Sequence, residues 1–188
     1  NIVIGQMLLK AGAQVDVQDS NQMTAVMHVA EGGSEAMLGL LLGARPNLRL
    51  TDSQGESVLH RVARLGLSSM AGKLLKAGAD AAQVQAFGRE RVAPLHLAVD
   101  AGDVELVRTM LEAGANVNCR SAGASGGQTP LHRAVENRDV DMVRLILRYG
   151  PDVRAKDDAG YSVLDYATLG GGGELAEIIG LLKKAGAR

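Results

Sequence analysis

The 188 residues are 46% hydrophobic and carry 20 Lys+Arg against 21 Asp+Glu, a formal charge of −1. That near-balance excludes the concentrated positive field a nucleic-acid or anionic-membrane binder needs, and the single cysteine, Cys119, excludes an internal disulfide framework and suits a reducing, intracellular setting, cytoplasmic or nuclear. The longest apolar run, near Met37 to Leu42, is far short of the roughly 18 residues needed to cross a bilayer, so no membrane insertion is expected.

In chain order, the first element is a short apolar helix at residues 1–12, carrying Ile4, Met7, Leu8 and Leu9 and closed by Lys10-Ala11-Gly12-Ala13. The same ending returns at Lys76-Ala77-Gly78-Ala79, Glu112-Ala113-Gly114-Ala115, Tyr149-Gly150 and Lys184-Ala185-Gly186-Ala187, with Arg45 in the slot between the first two. The steps between these positions are 33, 33, 36, 36 and 36 residues. A second landmark precedes each of the last five: Thr24-Ala25-Val26-Met27, Ser57-Val58-Leu59-His60, Ala93-Pro94-Leu95-His96, Thr129-Pro130-Leu131-His132 and Ser162-Val163-Leu164-Asp165. Two markers in phase five times define an internal repeat.

Each unit reads as helix, turn, helix and polar loop. Ser or Thr opens the first helix by accepting from an orphan backbone N–H, and Pro94 and Pro130 suit its first position. The second helix carries aliphatics at helical spacing, as in Leu106, Val107, Met110 and Leu111, and stops at the left-handed glycine. Arg45 in place of that glycine and Ala93 in place of the capping hydroxyl are the weakest points; a lost cap costs about 1 kcal/mol. No unit holds enough apolar surface to fold alone, so neighbours must stack.

Thr129-Pro130-Leu131-His132-Arg133-Ala134 and the period near 33 make the chain resemble the ankyrin-repeat family over essentially its whole length. The resemblance implies an all-α solenoid of stacked helix-turn-helix units with projecting hairpin-like fingers around Asp19, Asp52, Gly88, Ala124 and Asp157. The expected register is one domain: a partial repeat over 1–18, then repeats at 19–51, 52–87, 88–123, 124–156 and 157–188. The opening second helix lacks a first helix before it, so a fragment of a longer polypeptide is expected.

Chemistry finds little purchase. His60, His96 and His132 occupy one position in three successive repeats, and stacked helices stand roughly 8–10 Å apart, too far to share an ion whose ligands sit near 2 Å. The resemblance implies that each ties a helix start to its neighbour. His28 falls one place later and is expected to face the groove. Cys119 has no lowered thiol pKa to expect beyond the neighbouring Arg120, and a nucleophile needs a base while every histidine is already assigned. Gly170 to Gly173 joins two helices and leads into Glu174, which would repel phosphate, so it reads as a turn. No catalytic residue, cofactor or metal is expected.

What remains is a binding surface. The resemblance implies that fingers and first helices line a concave groove, which places Gln54, Glu56, Arg61, Arg64 and Leu65, then Arg89, Glu90 and Asp100, then Gln128, Arg133, Glu136 and Asn137, and finally Tyr161, Tyr166 and Leu169 on it. Two connections carry three extra residues, Gln85-Ala86-Phe87 and Ser121-Ala122-Gly123, so adjacent longer fingers should stand side by side. Phe87 is either a partner's anchor or a plug between fingers. The expectation is a non-enzymatic module that binds a protein or peptide by charge complementarity, as a monomeric array or part of a larger chain. The alternative is a spacer or targeting arm within a larger enzyme, channel or transcription regulator.

Overall fold

The computed structural model describes residues 1–83, 90–123, 126–169 and 173–187. Helix α1 (Ile2–Lys10) is followed by five helix pairs: α2 (Ala25–Glu31) and α3 (Glu35–Gly43), α4 (Val58–Arg64) and α5 (Ser68–Lys76), α6 (Pro94–Asp100) and α7 (Val104–Glu112), α8 (Pro130–Glu136) and α9 (Val140–Leu147), α10 (Val163–Leu169) and α11 (Gly173–Lys184). The first helices pack in one row (α2, α4, α6, α8, α10) and the second helices in another (α1, α3, α5, α7, α9, α11). The result is an all-α ankyrin-type solenoid.

The core is one ribbon running the length of the stack. Met27, Leu38, Leu59, Met70, Leu95, Leu106, Met110, Leu131, Met142 and Ile178, drawn from helices of both rows, are fully buried. The small Ala30, Ala63, Ala98, Ala134 and Ala167 are buried on the first helices, where they permit close approach. Ser34, Asp103 and Asp139 cap the second helices by accepting from Met37, Leu106 and Met142 N–H. The far ends turn through left-handed backbone: φ is +95° at Gly78, +88° at Gly114 and +55° at Arg45. At the start of the stack, Val3, Ile4, Met7 and Leu8 on α1 are more than half exposed.

Three fingers are closed by bridges Gln18↔Thr24, Thr51↔Ser57 and Lys156↔Ser162. An aspartate organises each turn. Asp19 Oδ1 accepts from Asn21 and Met23 N–H, Asp52 Oδ1 from Gln54 and Glu56, and Asp157 Oδ1 from Ala159 and Tyr161. The long connections behave differently. Strand β1 (Glu90–Arg91) pairs antiparallel with β2 (Ala122–Gly123), in register Glu90↔Gly123 and Arg91↔Ala122. Two fingers thus share one small sheet, through pairs 33 and 31 residues apart.

The buried histidines act as repeat-to-repeat struts. Nδ1 of His60, His96 and His132 accepts the N–H of Ser57, Ala93 and Thr129, each at 3.2 Å. The proton therefore sits on Nε2, which donates to the carbonyls of Val92, Gln128 and Tyr161 in the next repeat at 3.1, 3.1 and 3.3 Å. Thr24 caps α2 as expected, its Oγ1 accepting from Met27 N–H. In α4 and α8 the imidazole takes over the capping-box role usual for glutamate, and the hydroxyls of Ser57 and Thr129 close on Nδ1 at 2.8 and 2.9 Å.

Candidate functional site

One side of the stack is built by the exposed faces of the first helices and by the fingers. One register position recurs there, nine residues after the finger aspartate. It holds His28, whose Nε2 is 2.8 Å from Asp19; Arg61, whose Nε donates to Asp52 at 2.9 Å; and Tyr166, whose hydroxyl donates to Asp157 at 2.8 Å. The expectation that His28 faces the groove thus meets a carboxylate partner on its own finger. The Met23 amide and the His28 ring hold the Asp19 carboxyl below its usual range. Asp157 is also held low, because hydrogen bonds from Tyr166 and backbone amides outweigh the desolvation that opposes ionisation.

In the fourth repeat the same position is Arg133, which reaches back to Asp100 on the preceding first helix. Arg61 also reaches back, from Nη1 to Glu31. A second contact runs along α4 and α8: Arg64 donates to Glu56, and Gln128 Nε2 donates to Glu136 at 3.2 Å. Gln128 also donates to the Tyr166 hydroxyl at 2.9 Å, so Glu136, Gln128, Tyr166 and Asp157 form one connected polar chain across two repeats. Asn137 Nδ2 approaches the Val99 carbonyl at 3.5 Å. Tyr161 is half exposed, its ring edge-on to Tyr166 at 6.3 Å.

The expected contact residues therefore fall into distinct groups. Glu56, Arg61, Arg64, Asp100, Gln128, Arg133 and Glu136 sit in ion pairs or hydrogen bonds that stiffen the wall. Gln54 lies exposed on the second finger, with its N–H turned to Asp52. Asn137 and Tyr161 stand at the exposed edge. Glu90 contributes its backbone to the two-stranded sheet, while Phe87 and Arg89 lie outside the described residues. So do Gly170 to Gly172, whereas Gly173 begins α11.

Sequence reasoning missed Glu31 and the buried Asp52 as the partners of Arg61. The signal was present in Asp19, Asp52 and Asp157, each nine residues ahead of a polar side chain on the first helix. A shallow recess of about 230 Å³ results there, lined by Glu31, Glu56, Arg61, Arg64 and Leu65. A larger trough of about 700 Å³ lies between α5 and α7 in the row of second helices, where Gly72 and Ala113 leave space between Lys73, Lys76, Thr109 and Glu112.

Cys119, for which every histidine was expected to be engaged elsewhere, has one beside it. Its Sγ lies 3.7 Å from Nδ1 of His96. The pair is nonetheless unsuited to nucleophilic chemistry, because burial pushes the Cys119 thiol up to about 12 and the His96 imidazole down to about 4. Near neutral pH both are uncharged, and no thiolate–imidazolium pair forms. Among the described residues, no group of three or more His, Cys, Asp or Glu side chains could hold a metal ion, and no helix is long and apolar enough to cross a membrane.

A family model for ankyrin repeats in three copies matches residues 2–85, 60–157 and 95–188. No curated protein matches the chain.

Proposed function

Because the chain belongs to the ankyrin-repeat family, whose repeats are generally protein–protein interaction modules, we propose that it is a non-enzymatic module whose concave face and fingers hold a partner protein or peptide. We assign it the partial repeat over 1–18 and repeats 19–51, 52–87, 88–123, 124–156 and 157–188. The supporting observation is the division of labour on the side of the first helices. Buried apolar atoms and the histidine struts hold the stack, while Leu65, Asn137, Tyr161 and Leu169 stay exposed at the ends of the first helices. The ion-paired wall beneath them is already ordered, so little side-chain entropy is lost when a partner arrives.

The test is affinity capture with the intact chain and with the triple variant Arg64→Glu, Glu136→Arg and Tyr161→Ser, both shown to melt at the same temperature. Partners retained by the intact chain are expected to be lost by the variant. Equal retention by both rejects the groove as the binding face.

A further inference from the structure

The recess between the first and second full repeats carries a surplus negative charge beside an unburied leucine. Arg61 is the counter-ion of two carboxylates at once, the fully buried Asp52 and the half-exposed Glu31. Glu56 is served separately by Arg64. Among the described residues, three carboxylates thus share two guanidinium groups, and the uncompensated charge rests at Glu31, the accessible partner. Arg61 itself is only 15% exposed, and its Nε, Nη1 and Nη2 all donate within the wall, so it is not placed to receive an anion.

Leu65 supplies the second feature. It is 51% exposed just past the end of α4, where the equivalent positions of other repeats hold Gly32, Ala101 and Asn137. Stacking therefore needs no large aliphatic group at this position. The recess, at about 230 Å³, is smaller than the roughly 300–1,000 Å³ usual for small-molecule sites, and suits a side chain or two of a longer ligand.

Resting on the groove reading above, we infer that this recess takes a partner segment in which a lysine or arginine stands beside a leucine-sized aliphatic residue. The cation meets Glu31 and the aliphatic group covers Leu65. An acidic segment is disfavoured, because it would meet the surplus carboxylate while the guanidinium donors of Arg61 are already engaged.

Selection from a random seven-residue peptide library, against the intact chain, tests this directly. Seven extended residues reach about 23 Å, so such a peptide at the recess falls short of Tyr161, three repeats away at roughly 8–10 Å per repeat. Enriched peptides are expected to carry Lys or Arg within two positions of Leu, Ile, Met or Val. Synthesised singly, they should bind the intact chain at least tenfold more tightly than the variant Glu31→Gln with Leu65→Ser. Glu31→Lys, which reverses the surplus charge, should redirect selection toward acidic peptides.

Enrichment of acidic or purely apolar peptides by the intact chain overturns the inference. So does equal binding of the selected peptides to the double variant. Should those peptides instead be lost on Tyr161→Ser and kept by the Glu31→Gln, Leu65→Ser variant, the groove stands as the binding face and only the recess assignment falls. Failure of the intact chain to enrich any peptide removes the recess assignment, and the groove reading then stands or falls on the affinity capture above.

Discussion

The thiol of Cys119 stands 3.7 Å from Nδ1 of His96, in the role that the Ser57 and Thr129 hydroxyls fill at 2.8 and 2.9 Å from the histidines of neighbouring repeats. Ala93 removes the hydroxyl from the third repeat, and a side chain 23 residues beyond His96 replaces it. The weak point legible in the sequence is thus partly offset in space. Cys119→Ala is expected to cost about 1 kcal/mol, since it deletes a buried partner and leaves a small void. Ala93→Thr should restore the hydroxyl and make the Cys119→Ala loss smaller. Urea unfolding of the four members of this double-mutant cycle measures the coupling; strict additivity would show that the two groups do not substitute for one another.

The three histidine struts make stability depend on pH. Burial is the leading cause that depresses the pKa of His60, His96 and His132 below the ordinary 6.5, to about 4 for His96. Below about pH 6.5 the unfolded chain then binds more protons than the folded one, so stability must fall as pH falls. For His96 the loss runs from about pH 6.5 to about 4, levels off below that, and approaches about 3 kcal/mol at one pKa unit per 1.4 kcal/mol. Denaturation midpoints at pH 7.5, 5.5 and 4.5 should decline, and His96→Gln should flatten the decline while lowering stability at pH 7.5. A midpoint unchanged between pH 7.5 and 5.5 would contradict the assignment.

Arg61 and Lys73 both bridge neighbouring repeats, yet their removal should differ sharply. Arg61 neutralises Asp52, which is fully buried, so Arg61→Ala strands a charge and is expected to cost about 3 kcal/mol. Lys73 meets Glu35 where both side chains are more than 40% exposed, and Lys73→Ala should cost less than about 0.5 kcal/mol. Chemical denaturation of the two variants side by side decides this; similar losses would mean that Asp52 does not depend on Arg61.

Arg45 turns the chain at φ +55°, where the other second helices use glycine at φ +66° to +99°. An L-residue pays roughly 1–2 kcal/mol for that backbone, and glycine returns part of it as unfolded-state entropy. Arg45→Gly is expected to stabilise the chain by about 0.5–1 kcal/mol, read as a rise in melting temperature. A fall would show that the Arg45 side chain contributes more than its backbone costs.

The histidine struts and the turn at Gly114 were legible because each rests on a short pattern repeated in phase: His60, His96 and His132 share one slot, and a left-handed turn needs glycine within a few residues of a helix end. The groove residues were legible as a set but not in their state. Arg61 and Arg64 read as open contact residues, whereas one is locked between Glu31 and Asp52 and the other holds Glu56.

The amino-acid order by itself determined the period, the paired helices, the capping positions and the stacking, because each follows from apolar spacing and backbone preferences within one unit. Only the tertiary structure decided which charges are consumed, that β1 and β2 join two fingers, and that Cys119 attends His96. Those contacts join residues 23 to 38 apart, or depend on which of two nearby carboxylates a guanidinium reaches. Such choices are settled by burial and distance in the assembled stack, where side chains with no local relation compete for the same partner.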